Sequence, residues 1–104
     1  KINMLHHIVM WKLKDFAEDK TKFENARLIQ EKFEDLTTKI KQIKKLEVGI
    51  NIESSAFANF DVVLDTWFDN FPDMELYQHH PLHKEISDWI GKVRQERAAV
   101  DYET

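Results

Sequence analysis

The chain has 104 residues, of which 42% are hydrophobic and 33% charged, with a formal net charge of −4 at pH 7 and no cysteine. This length and balance predict a single globular domain spanning residues 1–104, with one modest core. They exclude a disulfide scaffold and thiol chemistry, and the acidic balance argues against a nucleic-acid partner.

The predicted elements follow the order β-α-β-β-α-β. Strand-forming residues fill the first segment, and the second places apolar residues three and four apart, as one face of an amphipathic helix does. The predicted ranges are residues 4–14 (strand), 19–40 (helix), 44–53 (strand), 60–68 (strand), 69–80 (short helix), 81–95 (longer helix) and 97–103 (strand). This order predicts an α+β, ferredoxin-like fold with helices on one face of a four-stranded antiparallel sheet.

The first strand is apolar on both faces, although the predicted helices cover only one face of the sheet. One face carries Leu5, Val9, Trp11 and Leu13, and the other carries Met4, Ile8 and Met10. Monomers rarely leave so large an apolar patch in water. We therefore expect a homodimer, in which two copies pack sheet against sheet as a dimeric α/β barrel. The alternative is a cupped face that holds a ligand or tolerates a few exposed apolar groups.

The segment YQHHPLH, from Tyr77 to His83, holds three of the five histidines. Pro81 suits the first position of a helix, which places His80 near the N-cap and His83 in the first turn. Its spacing from the apolar stripe of the same helix turns His83 toward the core. A neutral imidazole there can act as a base, and Tyr77 can donate a hydrogen bond to a carbonyl. The alternative is that both side chains only satisfy backbone groups where two helices meet.

A metal site is not expected in this segment. His79 and His83 have a chelating spacing of four, but Pro81 interrupts the helix that would align them, and no cysteine is available. No cofactor is expected either. His7 shares a face of the first strand with Val9 and Trp11, and would approach His83 if that face meets the helices.

No apolar run approaches the roughly 20 residues that cross a bilayer, so no membrane partner is expected. Together with the missing cysteines, this favours a cytoplasmic location. Met4 is a candidate initiator, which would make Lys1 to Asn3 an addition before the natural start.

Five segments occur in an order that resembles the stress-responsive dimeric α/β-barrel (Dabb) family over nearly the whole chain. They are HHIVMWKLKD, LEVGIN, FDVVLDTWF, YQHHPLH and VDYE. The resemblance implies a ferredoxin-like monomer whose sheet packs against its twin. The family's chemistry is mostly unassigned, but one plant member cyclises a linear polyketide. Its tyrosine and histidine, thought to be the acid–base pair, match Tyr77 and His83. His80 matches the intermediate histidine, and His7 the first-strand histidine.

The leading interpretation is a homodimeric Dabb protein that binds a small molecule in a partly apolar pocket. The catalytic candidates are Tyr77 and His83, and the binding candidates are His7, His80 and Trp89. A polyketide-cyclase-like enzyme, with His83 as base and Tyr77 as donor, is the alternative, although bulky Trp11, Trp67 and Trp89 could fill a long acyl pocket. A cofactor-independent monooxygenase and a purely structural stress protein are further alternatives, the former by analogy of fold.

Overall fold

The computed structural model of the chain describes residues 3–104. Lys1 and Ile2, which precede the candidate initiator Met4, lie outside the described residues. Within residues 3–104 the chain forms six strands and three helices. Their bounds are β1 (Leu5–Leu13), β2 (Phe16–Ala17), β3 (Lys20–Thr21), α1 (Lys22–Leu36), β4 (Lys45–Ile50), β5 (Val62–Phe68), α2 (Phe71–His79), α3 (Pro81–Val93) and β6 (Arg94–Glu103).

Four strands form one antiparallel sheet in the order β4-β5-β1-β6, and β2 and β3 form a separate short hairpin. The register of β1 places His7 opposite Thr66 of β5 and Asp101 of β6. This arrangement is the predicted ferredoxin-like fold. Among the described residues, none of the helices has the length and apolar character that a membrane span requires.

Each helix begins at a residue whose side chain accepts a backbone N–H that the first turn leaves unpaired. At α1, the Glu24 N–H donates to the Thr21 hydroxyl at 3.2 Å, and the Thr21 N–H donates to the Glu24 carboxylate at 2.9 Å. Asn70 caps α2, and His80 caps α3 by accepting the Leu82 N–H through Nδ1 at 3.1 Å. The predicted place of His80 at the helix entrance is therefore confirmed.

The inner face of the sheet packs against the helices and forms the core. Trp11 of β1 stacks on Phe33 of α1, with ring centroids 5.6 Å apart. Ile29 of α1, Leu64 of β5 and Val93 of α3 are buried in the same cluster. Burial of this apolar area, worth about 25 cal/mol per Å², fixes the helices on this face.

The outer face of the sheet keeps apolar side chains in solvent. The exposed fractions are 39% for Met10, 37% for Val63, 55% for Val100 and 42% for Tyr102. These residues lie on the three neighbouring strands β5, β1 and β6 and form one patch, named here the outer patch. The predicted two-faced first strand is confirmed.

The structure adds a hairpin that the sequence pattern did not predict. Between β2 and β3, Glu18 and Asp19 take φ angles of 52° and 61°. Two successive residues with positive φ form the type of turn whose twist matches a hairpin. Asn25 of α1 donates from Nδ2 to the Ala17 carbonyl at 3.1 Å, which ties the hairpin to the helix.

Several element ends also differ from the prediction. α1 begins at Lys22 and ends at Leu36, where the pattern predicted 19 and 40. Ile40 is buried as its spacing suggested, but it lies in a turn rather than in the helix. β6 begins at Arg94 instead of residue 97, directly after α3.

The capping box of α1 gives the first prediction. Thr21→Ala removes the hydroxyl that accepts the Glu24 N–H, so we expect the free energy of unfolding to fall by about 1 kcal/mol. Thr38→Ala is the matched control, because Thr38 is exposed in the turn after α1. Urea unfolding followed by circular dichroism measures both variants. Equal effects of the two substitutions would contradict the capping role.

Candidate functional site

A cavity of about 200 Å³ lies between the inner face of the sheet and the helices. Its apolar wall is formed by Val9, Trp11, Phe33, Leu64 and Ile90. Its polar wall is formed by His7, Gln78, His83, Ser87, Arg94 and Arg97. An apolar wall with a few convergent polar groups is the usual make-up of a small-molecule site.

His7 is held from two sides at the sheet side of the cavity. Its Nδ1 lies 2.5 Å from Asp101 Oδ1, and the Gln78 side-chain amide donates to Nε2 at 3.1 Å. Because Nε2 accepts from the amide, the ring proton lies on Nδ1 and is donated to the Asp101 carboxylate. The Thr66 hydroxyl also donates to the His7 carbonyl at 3.1 Å. The predicted approach of His7 to His83 is confirmed, since both line one cavity.

His83 lines the opposite side of the cavity from the first turn of α3. Its Nδ1 donates to the backbone carbonyl of Gln78 at 3.1 Å. The pKa of His83 is lowered to about 4, and burial is the largest cause. The neighbouring His7 and Arg97 also lower the pKa, whereas the hydrogen bond to Gln78 raises it. At neutral pH the ring is therefore uncharged, and Nε2 is the nitrogen that carries the free lone pair.

Tyr77 of α2 is fully buried beside both histidines. Its ring centroid lies 4.4 Å from that of His83 and 6.4 Å from that of His7. Burial raises the pKa of Tyr77, so the hydroxyl keeps its proton. Within residues 3–104 the hydroxyl has no hydrogen-bond partner. The Tyr77 ring packs against His83, but Tyr77 is not among the residues that line the cavity.

Two of the predicted binding residues lie outside the cavity wall. The imidazole of His80 caps α3, as described above. Trp89 is half-buried on α3, and Lys32 Nζ lies 5.0 Å from the centroid of its ring. Within the described part of the chain, the cavity wall includes Trp11, but not Trp67, whose ring is tilted against His6 on the outer face.

A larger hollow of about 400 Å³ lies in the outer face of the sheet, beside the loop before β5. Met10, Gly49, Phe60 and Val63 contribute to its largely apolar wall. A Cβ at Gly49 would lie 3.0 Å from Val63 Cγ1, so glycine there keeps the two strands closely packed. The smaller cavity, rather than this hollow, holds the titratable groups described above.

The family model for the stress responsive A/B barrel domain (Dabb) matches residues 5–104. The chain belongs to the Dabb family. No match was found among curated proteins.

Solved structures of other proteins share the fold. A dimeric protein of unknown function and ferredoxin-like fold from Bacteroides fragilis is 32% identical, with 97% of this chain and 96% of that chain covered and a TM-score of 0.77. A Dabb family protein from Mesorhizobium loti is 20% identical, with coverages of 96% and 95% and a TM-score of 0.72. Hydroxynitrile lyase from Passiflora edulis is 13% identical, with coverages of 100% and 95% and a TM-score of 0.81. The last two likenesses show the fold alone.

Three polar cavity residues of this Dabb chain, Gln78, Arg94 and Arg97, were missed as candidates from the sequence, as was Asp101, which binds His7. Asp101 belongs to the VDYE segment, but only the register between β1 and β6 reveals that it faces His7. Arg94 fell inside a predicted helix, so its place on a strand beside the cavity could not be foreseen.

The lowered pKa of His83 predicts a loss of stability in acid. The pKa of His83 is about 4 in the folded chain, and its ordinary value of 6.5 applies to the unfolded chain. Between these pH values the unfolded chain therefore binds more protons than the folded chain. Stability is therefore fully present above pH 6.5 and falls as the pH drops toward 4. Allowing for the part of the ring that solvent screens, the His83 contribution is on the order of 2 kcal/mol.

His83→Gln removes the titrating ring, so we expect a flatter dependence of unfolding free energy on pH across this window. Denaturant unfolding at a series of pH values measures it. His79→Gln, at an exposed position on α2, is the control for the loss of a histidine. A His83→Gln profile parallel to that of the wild type would show that another group causes the acid loss.

Proposed function

We propose that this chain is a homodimeric Dabb protein that binds a small carbonyl compound in the cavity and catalyses proton transfer at the adjacent carbon. His83 Nε2 is the base. The observation that carries the proposal is the hydrogen bond from His83 Nδ1 to the Gln78 carbonyl at 3.1 Å, which leaves Nε2 without that commitment in the cavity wall. Burial lowers the pKa of the ring, so it is uncharged at neutral pH. A buried neutral imidazole with one free nitrogen is equipped to take a proton at neutral pH.

The proposed step breaks the C–H bond beside the carbonyl. Its proton goes to His83 Nε2, and the electron pair moves onto the carbonyl oxygen to give an enolate. An enolate needs a hydrogen-bond donor, and Tyr77 is the candidate because its hydroxyl is protonated and unpartnered among the described residues. Its ring lies against His83 rather than in the cavity wall, so this role requires the substrate oxygen to reach past that wall beside His83. A buried unpaired hydroxyl costs about 1–3 kcal/mol, which a ligand oxygen that accepts from it would recover.

The size of the cavity favours a small substrate. Pockets for drug-sized ligands occupy about 300–1,000 Å³, whereas this cavity has about 200 Å³ and bulky Trp11 in its wall. A long linear polyketide is therefore disfavoured relative to a compact carbonyl compound. The hydroxynitrile lyase from Passiflora edulis supports the proposal only as an example of an enzyme on this fold.

The catalytic prediction concerns hydrogen–deuterium exchange beside the carbonyl of small ketones and oxo acids in D₂O, followed by NMR. We expect the wild type to accelerate exchange and His83→Gln to lower the rate by about 10²–10⁴-fold, because the base is gone. Tyr77→Phe should lower the rate while leaving or raising the melting temperature, since the hydroxyl that it removes has no partner among the described residues.

His79→Gln is the control variant and should exchange at the wild-type rate. An unchanged rate in His83→Gln, or no acceleration by the wild type with any probe, would contradict the proposed reaction. A large loss of melting temperature in His83→Gln without any activity to lose would favour the structural alternative.

The outer patch supports the homodimer. Met10 lies opposite Val63 on β5 and Ala98 on β6. The apolar side chains of the outer patch are therefore contiguous across three strands. Covering such a patch with a second copy removes it from water, which is the main driving force of association. The 32% identical protein from Bacteroides fragilis is described as dimeric.

The dimer prediction uses two substitutions of the same chemistry. Val63→Lys places a charge in the outer patch, so we expect dissociation to monomers in analytical ultracentrifugation at micromolar concentration. Leu76→Lys on α2 is the matched control, because Leu76 is also an exposed apolar residue, at 57%, but lies on a helix. A wild-type monomer, or a Val63→Lys dimer as stable as the wild type, would refute the sheet-to-sheet interface.

A further inference from the structure

A β-bulge places two arginines of β6 on the cavity side of the sheet. Residues three apart on a regular strand face opposite sides. In β6, however, Arg97 pairs with Trp11 and Arg94 pairs with Leu13, because the register shifts by one residue between Lys12 and Leu13. Both strand partners point to the inner face, so both arginines do the same. Bulges commonly re-aim side chains beside functional sites.

The two arginines bring positive charge to the cavity without a carboxylate to neutralise it. Within residues 3–104 the ion pairs involve His6, His7 and three lysines, and none includes Arg94 or Arg97. Asp101, the nearby acid, is engaged by His7 Nδ1. A pair of unneutralised guanidinium groups in one cavity is unexpected in a chain with a net charge of −4.

We propose that the cavity takes a small carboxylate, held by Arg94 and Arg97, with its carbonyl turned toward His83. The planar guanidinium group matches a carboxylate with two parallel hydrogen bonds, which an ammonium group does not offer. The cavity volume of about 200 Å³ fits an oxo acid of a few carbons. The reaction of this substrate class rests on the proposed function, whereas the carboxylate site stands on the arginines alone.

The test compares 2-oxobutanoate with 2-oxobutanamide, which have the same size but differ in charge. Isothermal titration calorimetry should show the wild type binding the carboxylate about tenfold more tightly than the amide. In the double variant Arg94→Gln/Arg97→Gln this preference should vanish, with the melting temperature nearly unchanged because both side chains are exposed. Arg27→Gln, at an exposed position on α1, is the control for loss of an arginine outside the cavity and should keep the preference.

Three outcomes would overturn the carboxylate site. The first is equal binding of acid and amide by the wild type. The second is tighter binding of inorganic phosphate than of 2-oxobutanoate. The third is a double variant that loses the dimer in ultracentrifugation but keeps the preference for the acid, which would assign the arginines to the interface.

The same probes separate this proposal from the proposed reaction. If 2-oxobutanoate binds through the arginines but its C3 hydrogens do not exchange, the carboxylate site stands and the proton transfer is wrong. If 2-oxobutanamide exchanges through His83 as fast as the acid and binds as tightly, the proton transfer stands and the carboxylate site is wrong.

Discussion

The register of β1 between β5 and β6 is the constraint on which both faces of the molecule depend. Strand side chains alternate, so a slip of one residue would exchange His6 and His7 between the outer face and the cavity. The buried alternation of β1 opposes such a slip, since it would move the core side chains into solvent. At the end of the strand, the Leu13 N–H donates to the Asp61 carboxylate at 2.7 Å, which pins the register directly.

The two adjacent histidines, His6 and His7, consequently have different surroundings. His6 lies on the outer face, with its ring stacked on Tyr102 at 4.7 Å and tilted against Trp67 at 4.1 Å. His7 lies in the cavity, where its two nitrogens bind Asp101 and Gln78. Aromatic neighbours add to apolar burial, whereas a carboxylate and an amide fix a tautomer. One strand thus carries part of the outer patch on one side and a cavity residue on the other.

Periodicity predicted the long elements because apolar burial decides them. The same rule found the two-faced strand and the inward side of His83, whereas Pro81 indicated the N-cap position of His80. Periodicity did not predict the hairpin between β2 and β3. Glu18 and Asp19 adopt positive φ there without the glycine or asparagine that usually indicates such a turn. The bulge that brings Arg94 to the cavity was not predicted either. A one-residue shift in pairing depends on two strands together, so neither strand's own sequence pattern indicates it.

The positive charge of Arg97 acts on His83, so a bound anion would change the basicity of the His83 ring. Burial is the largest cause of the lowered pKa of His83, and the positive charge of Arg97 contributes. A carboxylate bound by the arginines would offset their field and favour the protonated imidazole. His83 would therefore be more basic with an anionic ligand in place than without one. Proton abstraction would then depend on the charge of the ligand as well as on its position.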